Sequence, residues 1–220
     1  DAGDDAARPW TSGIVKRPVD GEVALSTLNL AGDAQADLRH HGGRDKAVCF
    51  YPRAHYRAWR SVLPGIAWAP GAFGENLTIA GVDESRVCLG DVLRVGTCFL
   101  QISQPRQPCW KLARRWGRPD LVQRVQQTGR TGWYARVLAG GTLEAGAPLE
   151  LCLRPHPEWT VAAANAVRFA QPPDPAADRA LAACEALADG WRETLALRAD
   201  RSRRDRDSRR SGLSRRPGPG

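Results

Sequence analysis

Between Ser12 and Leu153 the chain runs as short apolar stretches interrupted every few residues by Gly, Pro or Asp. Gly13–Lys16, Glu22–Leu30, Ala47–Tyr51, Asn76–Ile79, Asp91–Val95, Cys98–Ser103 and Leu149–Leu153 have the length and the β-branched or aromatic content of strands, and Trp133–Leu138 reads the same way. Gly96-Thr97 separates Leu93-Arg94-Val95 from Cys98-Phe99-Leu100 and predicts a two-residue hairpin turn with glycine first. Helical spacing interrupts the strands in three places. Pro52 opens the first helix at its leading position, with Tyr56 and Trp59 three apart on one face. The others cover Trp110–Trp116 and, behind Pro119, Asp120–Gln127. Many close-set strands with few helices predict an all-β barrel or sandwich with helical insertions.

The pattern changes near Pro155. Thr160 caps a helix over Val161–Phe169, which Gln171-Pro172-Pro173 stops. Asp174 caps a second, with Pro175 in its first turn and Leu181, Cys184 and Leu187 as its apolar stripe. A third covers Asp189 to Arg198, with Trp191 and Leu195 on one side. Three short helices bury little surface alone, so they are expected to pack on one another and on a partner. From Ala199 onward Arg, Asp, Ser, Pro and Gly predict disorder. The expected organisation is therefore a β domain over 8–155, a three-helix module over 156–198 and an Arg-rich tail over 199–220.

Charge adds one exclusion. The 220 residues carry a formal net charge of +8, but the tail with its eight Arg and three Asp supplies +5 of it. The rest of the chain is close to balance, so the basic total does not point to nucleic acid as a partner. No apolar run approaches the roughly 18 residues of a spanning helix, so no membrane partner is expected. The acidic start Asp1–Ala7 lacks the pattern of an export signal. Cys49, Cys88, Cys98, Cys109, Cys152 and Cys184 contain no Cys-x-x-Cys pair, which argues against a structural zinc module and for reduced thiols in the cytoplasm.

Four segments look chemical. Gly32 to Lys46 places His40, His41, Gly42, Gly43, Asp45 and Lys46 just ahead of a strand. Adjacent glycines let backbone amides approach an anion, although a plain surface turn has the same composition. Phe73-Gly74-Glu75-Asn76-Leu77 can set a carboxylate and an amide at a sheet edge. Ser103-Gln104-Pro105-Arg106-Gln107-Pro108-Cys109-Trp110-Lys111-Leu112 is the most informative, because Cys109 leaves a strand through a double-proline loop and opens a helix. Amides at a helix start, with Arg106, Lys111 and Arg114 close by in sequence, favour a thiolate there. The remaining cysteines sit among apolar neighbours or in less structured surroundings and read as core fillers. Thr128-Gly129-Arg130-Thr131-Gly132-Trp133-Tyr134 offers an Arg clamp for phosphate or carboxylate, with Trp133 and Tyr134 as a flat wall.

Taken in order, these motifs resemble the MOSC family, related to the C-terminal part of molybdenum cofactor sulfurase, and within it the 6-N-hydroxylaminopurine-resistance subfamily. The likeness rests on Gly32-Asp33 with Gln35-Ala36-Asp37, His40-His41-Gly42-Gly43 with Asp45-Lys46-Ala47, Tyr51-Pro52, and the Phe73, Ser103 and Gly129 segments. Glu158-Trp159-Thr160-Val161 through Trp191-Arg192 is similar to the three-helix module of that subfamily. The resemblance implies a mainly β, MOSC-type β-barrel with helical insertions and a small C-terminal three-helix module. It further implies a molybdenum cofactor (molybdopterin) with Cys109 as the protein's ligand to the metal, and, across the family, an association with pyridoxal phosphate binding. Gly42, Gly43, Asp45, Lys46, Asn76, Arg106, Gln107, Arg130 and Gly132 are the residues expected around the cofactor. The implied reaction is reduction of an N-hydroxylated base or related small N-hydroxy compound to the amine, with His40, His41 or Glu75 handling protons. Because no flavin, haem or iron–sulfur motif is present, electrons are expected from a separate reductase. A non-catalytic cofactor carrier and a persulfide sulfur-transfer protein are the alternatives, and a homodimer through the helical module stays open.

Overall fold

The computed structural model describes residues 10–34 and 42–213. In chain order the strands are β1 (Val23–Leu25), β2 (Val48–Pro52), β3 (Leu77–Ile79), β4 (Val92–Val95), β5 (Cys98–Pro105), β6 (Trp133–Ala139), β7 (Gly141–Leu143) and β8 (Leu149–Leu153). The α-helices among the described residues are α1 (Ala54–Val62), α2 (Trp110–Trp116), α3 (Leu121–Thr128), α4 (Val161–Phe169), α5 (Pro175–Ala182) and α6 (Asp189–Leu213), with a 3-10 turn at Arg44–Lys46.

Six strands form one sheet in the order β3-β2-β6-β5-β4-β8, and β1 and β7 form a separate two-stranded ribbon. Among the described residues only the β2–β3 pair is parallel; the other pairings are antiparallel. The sheet curls into a half-barrel whose ends, β3 and β8, do not meet. More of the described residues lie in helices than in strands, so the expectation of a mainly β barrel is corrected to a mixed fold. Helices, not ring closure, cover the open side. The C-terminal helices supply Val161, Ala164, Leu181, Leu187, Trp191 and Leu195 to the same apolar core as Phe50, Leu100, Ile102 and Trp133 of the sheet. Burying each of the Val and Leu side chains contributes roughly 1.5–3 kcal/mol, which three isolated short helices would forgo.

A second core lies under α1, where Tyr51, Tyr56, Trp59, Trp68 and Phe73 pack with Leu112 of α2 and Leu121 and Val125 of α3. Tyr51 stacks on Phe73 with ring centroids 4.1 Å apart, and the Trp59 indole N–H donates to the Tyr51 hydroxyl at 2.7 Å. This aromatic block carries the start of α2 and hence Cys109.

The local signals for β8, α2 and α4 give the observed boundaries, and Thr160 and Asp174 cap α4 and α5 through their side chains. Four expectations change. Gly13–Lys16 is no strand; it lies across the loop at Gly71 and Gly74, and the Ile14 carbonyl accepts from Arg115 at 2.6 Å. Glu22–Leu30 breaks after Leu25, because the Ser26 amide and hydroxyl both turn back onto the Asn29 carbonyl at 3.0 Å. Pro52 ends β2 instead of opening a helix, and Arg53 caps α1 while its amide donates to Ile79 at 2.7 Å. Finally, α6 continues to Leu213 through residues whose composition predicts disorder. Arg is a good helix former, and a helix already anchored by packing propagates at low cost per residue.

That anchor includes an ion pair. Asp178 of α5 is fully buried, and Arg198 of α6 grips its carboxylate with Nε at 2.8 Å and with Nη2, which also donates to the Val167 carbonyl of α4 at 2.8 Å. One guanidinium thus ties three helices together. Arg198→Ala leaves the Asp178 charge buried without its partner and is expected to destabilise the chain by about 3–5 kcal/mol in denaturant unfolding. An unchanged midpoint and slope would show that the helices hold together without it.

Candidate functional site

The sheet brings the site together at the ends of β2, β5 and β6. Strand β5 carries a register shift between Ile102 and Gln104 against β6, so Ser103 is offset and the strand end is re-aimed. Past that bulge lie Arg106 and Gln107, and Cys109 follows in extended conformation (φ −121°, ψ 168°) at the residue before α2. The Arg106 amide donates to the Gly132 carbonyl at 3.0 Å. Gly132 has φ +69°, and a Cβ there would stand 2.3 Å from the Phe50 carbonyl oxygen, so only glycine lets β6 begin this close to β2.

Cys109, half-buried, opens onto a cavity of about 80 Å3. Lys46, Asn76, Arg106 and Gln107 also line it, so five of the residues predicted for the site converge there. Lys16, Asp33, Cys49, Lys111 and Tyr134 join them. Among the described lining residues the charged side chains are Lys16, Lys46, Arg106 and Lys111 against the single carboxylate of Asp33. The cavity is therefore electropositive and suits an anion.

Each of these groups is held by a specific neighbour. Asn76 donates its amide to the Cys49 carbonyl at 2.8 Å and its side-chain oxygen accepts from the Cys49 amide at 2.9 Å, extending the β2–β3 pairing by one residue. Its side-chain N–H donates to Asp33 Oδ2 at 2.6 Å, and Lys16 pairs with the other Asp33 oxygen. Tyr134, Arg106 and Cys49 act on one another electrostatically at the inner wall. Burial pushes the Cys49 thiol up to about 11, and Arg106 only partly offsets this. Burial likewise lifts Tyr134 well above its usual range. For Arg106 burial opposes the charge, but Cys49, Tyr134, Glu75 and Cys109 outweigh it and hold the guanidinium above its usual range.

Asp45 lies outside the cavity. Its carboxylate accepts from Arg136 at 2.7 Å and its carbonyl from Ser103 at 2.6 Å, which pins the turn that presents Lys46. Gly42 and Gly43 flank that turn without lining the cavity. Gly132 acts through the backbone as described. His40 and His41, like Gln35, Ala36 and Asp37, fall outside the described residues.

Two expectations place a charge in the wrong spot. Glu75 does not reach the cavity: it is buried, and its carboxylate accepts from the Gly71 amide at 2.7 Å, the Phe73 amide at 3.0 Å, the Thr78 hydroxyl at 3.0 Å and the Tyr56 hydroxyl. Four donors hold its carboxylate, so it fixes the 71–78 loop and is turned away from Cys109. Arg130 lies over Trp59 at 6.0 Å and faces a separate cleft of about 530 Å3 between α1 and α4, beside the buried His55–Glu84 pair.

Lys16 and Cys49 were hidden in the sequence for different reasons. Every residue of β2 is buried, so alternation gives Cys49 no distinguishing face. Lys16 sits in a segment that reads as an ordinary strand. Among the described residues no group of three or more His, Cys, Asp or Glu could hold a metal ion. A metal at Cys109 would have to arrive with most of its ligands already in place, which a sulfur-bearing organic cofactor provides.

Residues 37–150 match the family model described as the MOSC domain, and residues 159–200 match the model of the YiiM-like three-α-helix domain. The uncharacterized protein YflK of Bacillus subtilis is 45% identical over 86% of this chain and 86% of its own length. The crystal structure of YiiM from Geobacillus stearothermophilus superposes with a TM-score of 0.76 at 41% identity, over 85% of this chain and 89% of that one. A protein of Gibberella moniliformis named a reductase is 39% identical over 69% of this chain, which spans 27% of it.

Glu75→Gln replaces one acceptor oxygen with a donor facing hydroxyl and amide hydrogens. Its melting temperature is expected to fall by roughly 10 °C, equivalent to about 3 kcal/mol in a chain of this size. Unchanged melting by circular dichroism would show that the carboxylate does not hold the loop.

Proposed function

Since the chain belongs to the MOSC family and carries the three-helix domain of YiiM-like proteins behind that domain, we propose that it holds a molybdenum–pterin cofactor through Cys109 and reduces N-hydroxylated bases or related N-hydroxy compounds to amines. The observation that carries this reading is a half-buried thiol opening into an electropositive cavity. The relative named a reductase supports reductive chemistry in general. No helix among the described residues is long and apolar enough to cross a membrane.

The residues suit such a guest. Cys109 offers a soft sulfur donor to a high-valent metal. Arg106, Lys46 and Lys111 balance the negative charge of a phosphorylated pterin, the first by a planar fork and the others as point charges. Asn76 and Gln107 place amide groups at the same wall, where they can orient the edge of a heterocycle. The enclosed 80 Å3 takes only part of a cofactor-sized molecule, well under the ~300–1,000 Å3 usual for such ligands, so the remainder lies in the open mouth.

When bound, the cofactor supplies the two electrons that, with two protons, convert R–NH–OH to R–NH2 and water. The electrons reach it from a separate reductase. The chain's own residues set the charge around the reaction. Because burial holds the Cys49 proton up to about pH 11 and the Tyr134 proton higher still, both stay neutral at physiological pH. The positive balance of the cavity is therefore preserved for the ligand. With Glu75 committed to its loop, proton delivery passes to His40 or His41, which precede the turn bearing Lys46.

The test is molybdenum content per chain for protein made in a cofactor-competent host, with Cys109→Ser alongside. The wild type is expected to retain the metal and to turn over an N-hydroxylated base when supplied with a reductase, and the variant to lose at least tenfold of its metal. Unchanged molybdenum in the variant removes the proposed ligand. Metal without turnover makes the protein a carrier, and cyanide-labile sulfur on Cys109 without molybdenum makes it a sulfur-transfer protein.

A further inference from the structure

The cleft of about 530 Å3 between α1 and α4 takes no part in the chemistry at Cys109, yet it holds two polar groups that the fold leaves unmatched. Its volume lies inside the ~300–1,000 Å3 usual for small-molecule sites. The first group is the guanidinium of Arg130. The Tyr51 hydroxyl anchors the Arg130 carbonyl at 3.3 Å, while the half-buried guanidinium lies 6.0 Å from the Trp59 ring with no carboxylate partner among the described residues. A planar fork of donors without a protein acceptor is set to receive an anion.

The second group is Asn165 of α4, which lines the same cleft and is only 4% exposed. Its amide has one allowed orientation. The Thr131 hydroxyl donates to the Gly132 carbonyl at 2.9 Å, so Thr131 Oγ1 must accept, and Asn165 Nδ2 donates to it at 2.8 Å. Asn165 Oδ1 is thereby fixed as an acceptor, and it has no hydrogen-bond partner. A buried acceptor left unmatched is costly, which marks it for a ligand's N–H.

The wall around these two groups is built from side chains with settled roles. Glu84 is buried, with one carboxylate oxygen on His55 Nε2 and the other on the Gly132 amide, both at 2.7 Å. Asp83 spends only Oδ1, on the Ser85 hydroxyl at 2.5 Å and the Ser85 amide at 2.9 Å, and these bonds hold its carboxyl below the usual carboxylate range. Its Oδ2 is left for a cation. Ala162, Ala166 and Phe169 share one face of α4 with Asn165, at positions i, i+4 and i+7 around i+3, and give the cleft an apolar floor.

We propose that this cleft is a second ligand site that takes a free amino acid: the carboxylate on Arg130, the ammonium between Asn165 Oδ1 and Asp83, and an apolar side chain along Ala162, Ala166 and Phe169. A zwitterion matches both signs of charge that the wall presents. A doubly charged phosphate does not, because Asp83 and Glu84 set two carboxylates in the same wall. Among the described residues none lines both this cleft and the Cys109 cavity, so binding here does not depend on what that thiol holds.

The test is equilibrium dialysis of the full-length protein against L-phenylalanine, and against 3-phenylpropanoate and phenethylamine, which lack its ammonium and its carboxylate respectively. Wild type is expected to bind phenylalanine saturably and each analogue at least about tenfold more weakly. Arg130→Gln is expected to weaken phenylalanine binding by a similar factor. Ala166 is exposed on the cleft face of α4, so Ala166→Trp fills the cleft and is expected to remove binding while the melting temperature holds. No saturable binding of phenylalanine by wild type, an analogue bound as tightly as phenylalanine, or full binding by Ala166→Trp would each overturn the proposal.

Discussion

A guanidinium that is only 6% exposed has to be surrounded by groups that accept its hydrogens, and Arg106 imposes that requirement on everything near Cys109. Moving such a charge out of water costs several kcal/mol unless partners compensate it. Here three separate stretches of chain close around it, Cys49 from β2, Tyr134 from β6 and Cys109 from the loop after β5, and because burial keeps Cys49 and Tyr134 neutral the charge is left for a ligand to balance. The cavity exists because these stretches converge on one cation. The same charge leaves the cavity in need of an anion, and so connects the packing of the half-barrel to what the site can bind.

Two devices keep that convergence in register. The β5 bulge turns the strand end toward the loop, and the close approach at Gly132 lets β6 start against β2, with its carbonyl receiving the Arg106 amide. Beneath them the aromatic block of Tyr51, Trp59, Trp68 and Phe73 supports the base of α2. Glu75 closes the loop over this block, which explains why a carboxylate so near the site in sequence takes no part in it. The three-helix module contributes to the main core and not to the wall around Cys109, so it stabilises the sheet that presents the site.

What could be read from the sequence is what local chemistry encodes. Thr160, Asp174 and Pro175 announce their helices because capping and a missing amide act within a few residues. Cys109 stood out because its loop, its prolines and its basic neighbours lie side by side in the chain. Lys46, Asn76, Arg106 and Gln107 were legible for the same reason, as members of motifs. The misplacements of Glu75 and Arg130 have one origin: which way a side chain faces depends on strand register and on the bulge, neither of which composition reports. Closure of the barrel was over-read, since short strands look alike whether a ring shuts or helices cover the gap. Cys49 could not be separated from the other apolar-flanked thiols until β2 and β6 were paired.

The central claim is that the Cys109 sulfur is the atom through which this protein holds its guest, and occupancy of that sulfur can be read directly. The measurement is alkylation by iodoacetamide, mapped by mass spectrometry, on the molybdenum-loaded protein and on the same protein stripped of metal. Cys152, expected in the core from its apolar neighbours but exposed on β8, serves as the internal reference. Cys109 is expected to be shielded when loaded and modified when stripped, with Cys152 modified in both. Equal modification of Cys109 in the two samples would contradict it.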